Sequence, residues 1–108
     1  MTTEELYNML KSIEGFGKKV AYRAFPKGAA PKLPYICYMA TQTNNFDADN
    51  RVYAVIQNYD IELYTQKKDT STEALIEAKL NDKNIVWEKY EDYLDDEEMY
   101  MITYEVEV

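Results

Sequence analysis

The chain has 108 residues, 46% of them hydrophobic, and a formal net charge of -8 from 12 Lys and Arg against 20 Asp and Glu. A chain of this length is expected to form one domain, residues 1–108. The acidic balance argues against direct DNA binding, because phosphate recognition needs a surface of Lys and Arg. There is no His and one Cys, Cys37. We therefore expect no metal, cofactor or catalytic turnover, and no segment is long and apolar enough to indicate a membrane span.

An amphipathic helix is predicted over residues 3–13. Its apolar side chains recur at helical spacing along one stripe, at Leu6, Met9, Leu10 and Ile13. Thr2 and Glu5 have the spacing of a capping box, and Gly15 and Gly17 follow the pattern as its end.

A second helix is predicted over residues 70–80. Thr70 and Glu73 repeat the capping-box spacing, and Asn81-Asp82 ends the segment. The apolar residues that we place on one face of this helix are Leu75, Ile76 and Leu80.

Five strands are predicted from apolar and alternating patterns. They cover residues 20–25, residues 35–41, a long segment from Val52 that either bends or bulges near Gln57 and Asn58 or passes from a covered region to an open one, and a hairpin of residues 85–93 and 100–108 around an acidic turn at 95–98. The segments 26–34, which holds all three prolines, and 42–50 are predicted to be loops. The order α-β-β-β-α-β-β predicts an α+β fold, with one mainly antiparallel or mixed sheet of about five strands and both helices on one face.

Candidate sites in the chain have plainer interpretations. Asp47 and Asp49 stand near three asparagines, but the spacing of a calcium loop is missing, so a turn is favoured over a metal site. The acidic run at 95–98 suits a solvated hairpin tip better than the lining of a channel. Cys37 lies in an apolar strand without a basic neighbour, which indicates an inert core thiol.

Several segments together resemble one protein family. They are residues 25–38 with Leu33-Pro34-Tyr35, residues 45–50, residues 59–65, the polar residues Lys68, Asp69 and Glu73, and the C-terminal residues 99–105. In these segments the chain is similar to the small tail-completion proteins of Gram-positive siphophages and prophages, which are called tail-terminator, head-tail joining or minor capsid proteins.

This resemblance implies a virion protein, assembled in the bacterial cytoplasm, that forms a ring with copies of itself, often sixfold, and contacts tail-tube and head-connector proteins. The acidic charge is compatible with a passage wall that does not bind DNA phosphate. Eleven tyrosines also suit interfaces between subunits.

Assembly contacts are expected on the irregular segments 25–34 and 42–51, since loops held by a rigid sheet often carry binding surfaces. The hairpin of the last two strands is a third candidate. For Phe46, a contact with a neighbour and packing on its own core remain equal alternatives. The predicted interface residues are Phe25, Pro26, Lys27, Pro34, Phe46, Asp47, Asp49 and Asn50.

Two other functions remain as alternatives. A small acidic protein that occupies a basic protein surface would also carry carboxylates along one face. An enzyme is disfavoured, because the chain has no His, no second Cys and no glycine-rich phosphate loop, although Asp60 and Glu62 form a pair of carboxylates.

Overall fold

A computed structural model describes the backbone of residues 1–48 and 51–108, with the side chains of 46–48 and 52–54 excluded. It has two helices, α1 (Thr3–Lys11) and α2 (Thr70–Asp82). The strands are β1 (Val20–Tyr22), β2 (Tyr35–Thr43), β3 (Phe46–Ala48), β4 (Arg51–Ala54), β5 (Gln57–Thr65), β6 (Trp87–Leu94) and β7 (Met99–Glu107). None of the helices in the described ranges is long and apolar enough to span a membrane.

Five strands form one mixed sheet in the order β1-β2-β5-β7-β6, and β3 and β4 form a separate two-stranded sheet. The pair β1–β2 is parallel, whereas β2–β5, β5–β7 and β6–β7 are antiparallel. The predicted α+β class and the order α-β-β-β-α-β-β of the helices and main-sheet strands are confirmed.

The hydrophobic core lies between the two helices and one face of this sheet. Leu6 and Leu10 of α1 and Ile76 and Leu80 of α2 are fully buried in a single cluster. The sheet contributes every second residue of its inner strands to that cluster, namely Ile36, Tyr38, Tyr59, Ile61, Leu63, Ile102, Tyr104 and Val106. Because strand side chains alternate in direction, the intervening residues lie on the opposite face.

The helix termini confirm one predicted cap and correct the other. Thr2 and Glu5 form the expected capping box of α1. In α2, however, the cap is Asp69, whose side chain accepts from the backbone N–H of Thr72. The predicted box of Thr70 and Glu73 is therefore wrong, because an aspartate one residue earlier already satisfies the first-turn donors and Glu73 is buried. The predicted face was wrong for Leu75, which is 43% exposed.

The predicted strands lie in the observed parts of the chain, but several of their predicted ends are wrong. β1 stops at Tyr22, three residues before the predicted end, because Arg23 takes a positive φ of 66 and its N–H donates to the carbonyl of Tyr38. The predicted loop at 42–50 is also wrong in part, since β2 continues to Thr43 and residues 46–48 form β3. The long strand predicted from Val52 is two strands, β4 and β5, which are separated by residues 55–56, and Gln57 and Asn58, where a bend was one expectation, are the first residues of β5.

Candidate functional site

The sheet face opposite the helices is the candidate functional site, and we call it the open face. Its centre is a row of three carboxylates on three adjacent strands, the acidic row. Asp60 of β5 lies opposite Glu105 of β7, and Glu105 lies opposite Glu88 of β6. Directly opposed residues of antiparallel strands have Cβ atoms about 5 Å apart, so these carboxylates are near neighbours.

Burial and charge both act on Asp60, the member of the acidic row on β5. Desolvation raises the pKa of Asp60 above its ordinary value, and the negative charges of Glu105 and Glu62 raise it further. All four ion pairs of the described residues lie elsewhere, and they involve only Lys68 and Lys89 as cations. The acidic row therefore has no compensating cation among the described side chains, and like charges opposed in this way destabilise a sheet.

An aromatic cluster occupies the next part of the open face. The ring of Phe25, from the proline-rich loop, packs edge-on against the ring of Tyr35, with 5.3 Å between the ring centroids. The ring centroids of Tyr35 and Tyr64 are 5.1 Å apart. The hydroxyl of Tyr64 donates to Oε1 of Glu62 at 2.8 Å. Burial first, and then this bond to a carboxylate, raise the pKa of Tyr64. The cluster therefore borders the acidic row and remains neutral.

Cys37 lies beside the aromatic cluster and is 3% exposed. Burial raises the pKa of its thiol to about 11, with a further contribution from the charge of Glu62. A thiol that stays protonated at neutral pH is a poor nucleophile. Cys37 therefore brings no reactive thiol to the shallow cavity of about 340 Å³ that it lines, whose other walls include aromatic rings and the charged residues Arg23 and Glu97.

The structure separates the predicted interface residues. Phe25 is half-buried, Pro26 and Lys27 are exposed, and Pro34 is half-buried after a cis peptide bond. Of these, Phe25 belongs to the aromatic cluster. The backbone of Phe46 and Asp47 lies in β3, but their side chains are outside the described part of the chain, as are Asp49 and Asn50 entirely.

Sequence reasoning missed the acidic row, although Asp60 had been considered as half of a carboxylate pair. Its three members come from strands that are distant in sequence, and only the pairing of β5 with β7 and of β7 with β6 brings them together. The sequence does indicate an acidic sheet face, because two strands with alternating patterns have carboxylates at their solvent-facing positions, namely Asp60, Glu62, Glu105 and Glu107.

A second charged cluster lies under α2. Glu73 is 2% exposed, and its carboxylate pairs with Lys68 at 2.8 Å and with Lys89 at 3.1 Å. Lys89 also pairs with Glu77 at 2.8 Å, and Glu77 accepts from the hydroxyl of Tyr104 at 2.7 Å. These contacts join the helix to β6 and β7.

The protonation of this second cluster indicates a structural role. Hydrogen bonds to Glu77 and Glu73 raise the pKa of Lys89, so Lys89 remains a cation at neutral pH. Burial acts to raise the pKa of Glu77, but the bonds from Lys89 and Tyr104 outweigh it and hold that pKa below its usual value. Neither Lys89 nor Glu77 is therefore poised near neutrality as a general base needs to be.

The acidic row forms one wall of a groove of about 450 Å³. Asp60, Glu88 and Glu105 line it together with Glu107 and Trp87. Within the described residues, no three or more acidic or Cys side chains are arranged to hold a metal ion. The groove can attract a positively charged protein surface and repel an anion.

Comparison of the chain with known protein families, with curated proteins and with solved structures finds no match. The geometry of the open face, together with the sequence pattern, is therefore the basis for a functional proposal.

Proposed function

We propose that the chain is a structural subunit of a bacteriophage or prophage particle. It assembles with copies of itself into a ring at the end of the tail or at the head-tail junction, and there contacts tail-tube and head-connector proteins. The observation that supports this function best is the uncompensated acidic row on a sheet face without a helix, formed by Asp60, Glu105 and Glu88. The resemblance of segments 25–38, 45–50 and 59–65 to tail-completion proteins gives the class of particle.

The acidic row suits a surface along which DNA passes. DNA carries one negative charge for about every 1.7 Å of its axis, and a protein binds it by placing Lys and Arg against the phosphates. On the open face, a rigid sheet holds carboxylates toward the DNA, and these carboxylates repel its phosphates. A ring that lines its passage with such faces guides DNA without retaining it.

The aromatic cluster suits a contact with another protein. Large aromatic side chains with polar tips are enriched at protein interfaces, and Phe25, Tyr35 and Tyr64 form such a group beside exposed Pro26 and Lys27. In the proposed assembly this loop contacts the neighbouring tail or connector protein.

The proposal assigns the chain no cofactor and no catalytic turnover. It is supported by the high pKa of the Cys37 thiol and by the charged, paired state of Lys89 and Glu77. Neither the aromatic cluster beside Cys37 nor the charged cluster under α2 supplies a nucleophile with an adjacent base.

One other function is favoured by the same acidic row. A small acidic protein that covers a basic protein surface would also present Asp60, Glu88 and Glu105 on one face. Such a protein would act as a monomer or dimer in a complex of fixed stoichiometry with a basic partner. It would be absent from finished particles.

The test is to look for the chain in particles from a host that carries its gene. Antibody labelling in electron microscopy is expected to mark the tail end or neck, and mass spectrometry to find several copies per particle. Deletion of the gene is expected to leave heads and tails unjoined or tails of irregular length. Normal, infectious particles from the deletion strain would contradict the proposal, and co-purification with a basic host protein instead would favour the acidic binding protein.

A further inference from the structure

The two edges of the main sheet both carry exposed tyrosine side chains. β1 ends the sheet on one side and β6 on the other. Tyr22 of β1 is 45% exposed, and Tyr90 and Tyr93 of β6 are 55% and 46% exposed. Exposed aromatic side chains beside unpaired strand edges are features of surfaces that bind another chain.

The segment around β1 is basic. Between Glu14 and Asp47 the sequence has no acidic residue, and its five cations are Lys18, Lys19, Arg23, Lys27 and Lys32. None of these five forms an ion pair with another described side chain. The edge of the sheet at β1 is therefore positively charged.

The edge at β6 is acidic. Lys89 pairs with Glu73 and Glu77, and Glu91 pairs with Lys68, so these two β6 charges are compensated on the helix side. Glu88 and Asp92 are exposed and belong to the open face, and neither has an ion-pair partner among the described side chains. The two edges are four strand spacings apart, about 19 Å, which exceeds the Debye length of about 8 Å at physiological salt.

The register places the opposite charges at matching levels. The N–H of Ile36 donates to the carbonyl of Lys19, and the N–H of Arg23 donates to the carbonyl of Tyr38, so the backbones of Lys19 and Arg23 flank β1 close to the levels of Tyr35 and Met39. Tyr35 pairs with Tyr64 of β5, Tyr64 pairs with Met101 of β7, and Met101 pairs with Asp92 of β6. In the same way, Met39 pairs with Asp60, Asp60 pairs with Glu105, and Glu105 pairs with Glu88.

From this arrangement we infer that the β1 edge of one copy binds the β6 edge of the next copy, with Arg23 facing Glu88 and Lys19 facing Asp92. The inference rests on the proposed function, for which it identifies the contact between subunits. β1 and β6 run in opposite directions within one chain, so identically oriented copies side by side bring them together antiparallel. A contact between unlike edges repeats from copy to copy and closes into a ring when the rotation allows it.

Protection of the sheet against aggregation does not by itself explain this pattern. Charges of one sign on both edges would prevent every edge contact. Opposite signs instead oppose pairing of two β1 edges or two β6 edges, and they favour the pairing of β1 with β6. The charge distribution therefore selects a direction of assembly.

A charge exchange between Arg23 and Glu88 tests the contact in the purified full chain. Sedimentation velocity at low salt is expected to show the wild type associating, and association to fall at about 1 M salt, where the Debye length is about 3 Å. Arg23→Glu or Glu88→Arg alone is expected to weaken association about tenfold or more. A mixture of these two variants, or both changes in one chain, is expected to restore it.

Lys83→Glu and Asp82→Lys serve as matched controls, because they change exposed charges at the end of α2 that lie outside both edge strands. Thermal unfolding of each variant shows whether its monomer is intact. The inference is wrong if the wild type stays monomeric at about millimolar concentration and low salt, or if the mixture and the double variant fail to recover. Such failures leave the virion location untouched, since that rests on labelled particles and the deletion strain.

Discussion

Asp60 and Glu105 lie directly opposite each other on adjacent antiparallel strands, on the face of the sheet that the helices leave open. Glu105 also accepts a hydrogen bond from the hydroxyl of Tyr90 at 3.2 Å, which orients its carboxylate within the acidic row. Two like charges in such a position cost folding free energy, so the arrangement is explained by function better than by stability.

Neutralising Asp60, the member of the acidic row on β5, is expected to stabilise the isolated chain. Asp60→Asn keeps the shape of the side chain and removes its repulsion from Glu105 and Glu62. At neutral pH we expect the free energy of unfolding to rise by about 0.2–1 kcal/mol in urea denaturation.

The pH dependence gives an internal check on this effect. The folded-state pKa of Asp60 is raised, so ionisation of the carboxyl disfavours the folded state, and the associated stability is lost as the pH rises through that pKa. The gain from Asp60→Asn should therefore vanish below pH 3.8, the ordinary pKa of the group, where the wild-type carboxyl is also neutral. Glu14→Gln, at an exposed position between α1 and β1, is the control and should show no comparable gain. A less stable Asn variant at pH 7 would contradict the prediction.

The ion pairs under α2 are expected to have the opposite effect on stability. Lys89→Met removes the ion-pair partner of Glu77 and one of the two ion-pair partners of Glu73, which is 2% exposed. We expect a loss of about 1–3 kcal/mol at neutral pH, because a buried carboxylate is left with fewer charged donors.

Acid titration and a matched lysine check the cause of that loss. The bond to Lys89 helps to lower the folded pKa of Glu77, so the stabilisation is present above the ordinary value of 4.5 and disappears as the pH falls through the folded pKa. The difference between wild type and Lys89→Met should shrink in the same window. Lys83→Met, at an exposed position, should change stability by less than about 0.5 kcal/mol. Equal effects of the two substitutions would show that the ion pairs contribute little.

Most of the fold could be predicted from the sequence because hydrophobic periodicity decides which face of each element is buried. Leu6, Met9 and Leu10 follow the helical period, and Ile61 and Leu63 the strand period, and all five are buried. The ends of the elements depend on backbone choices that periodicity does not encode. The positive φ of Arg23, which ends β1, is an example.

Much less of the candidate site could be predicted. The assignment of Phe25 to an interface stays a prediction, and its contact with Tyr35 involves a proline-rich loop whose path the sequence does not reveal. Glu73 has the spacing of a capping residue and is instead a buried partner of two lysines, because α2 lies against β6. Contacts of this kind depend on strand order, which sequence pattern alone leaves open.

The thiol of Cys37 is expected to be unreactive in the folded protein. It is 3% exposed, and burial raises its pKa to about 11. At pH 7.5 we expect almost no labelling by a disulfide reagent over hours, and complete labelling within minutes in urea. Rapid labelling of the native chain would contradict both the burial of the thiol and its assignment as inert.

The final prediction concerns DNA, which the proposed passage must guide without binding. In a gel-shift experiment at physiological salt, the wild-type chain is expected not to bind double-stranded DNA at micromolar concentration, because approach of the open face brings carboxylates against phosphates. A variant with Asp60, Glu88 and Glu105 all changed to lysine turns the same rigid row into a cationic one. This variant is expected to bind DNA, and the binding is expected to weaken as salt rises, with a slope of about -0.9 for each phosphate neutralised. Replacing exposed carboxylates elsewhere, as in Glu4→Lys with Glu14→Lys and Asp82→Lys, gives a chain of the same net charge without a cationic row. If that control binds as tightly as the row variant, total charge and not the acidic row governs the interaction. Micromolar binding by the wild type would exclude the open face as a passage wall.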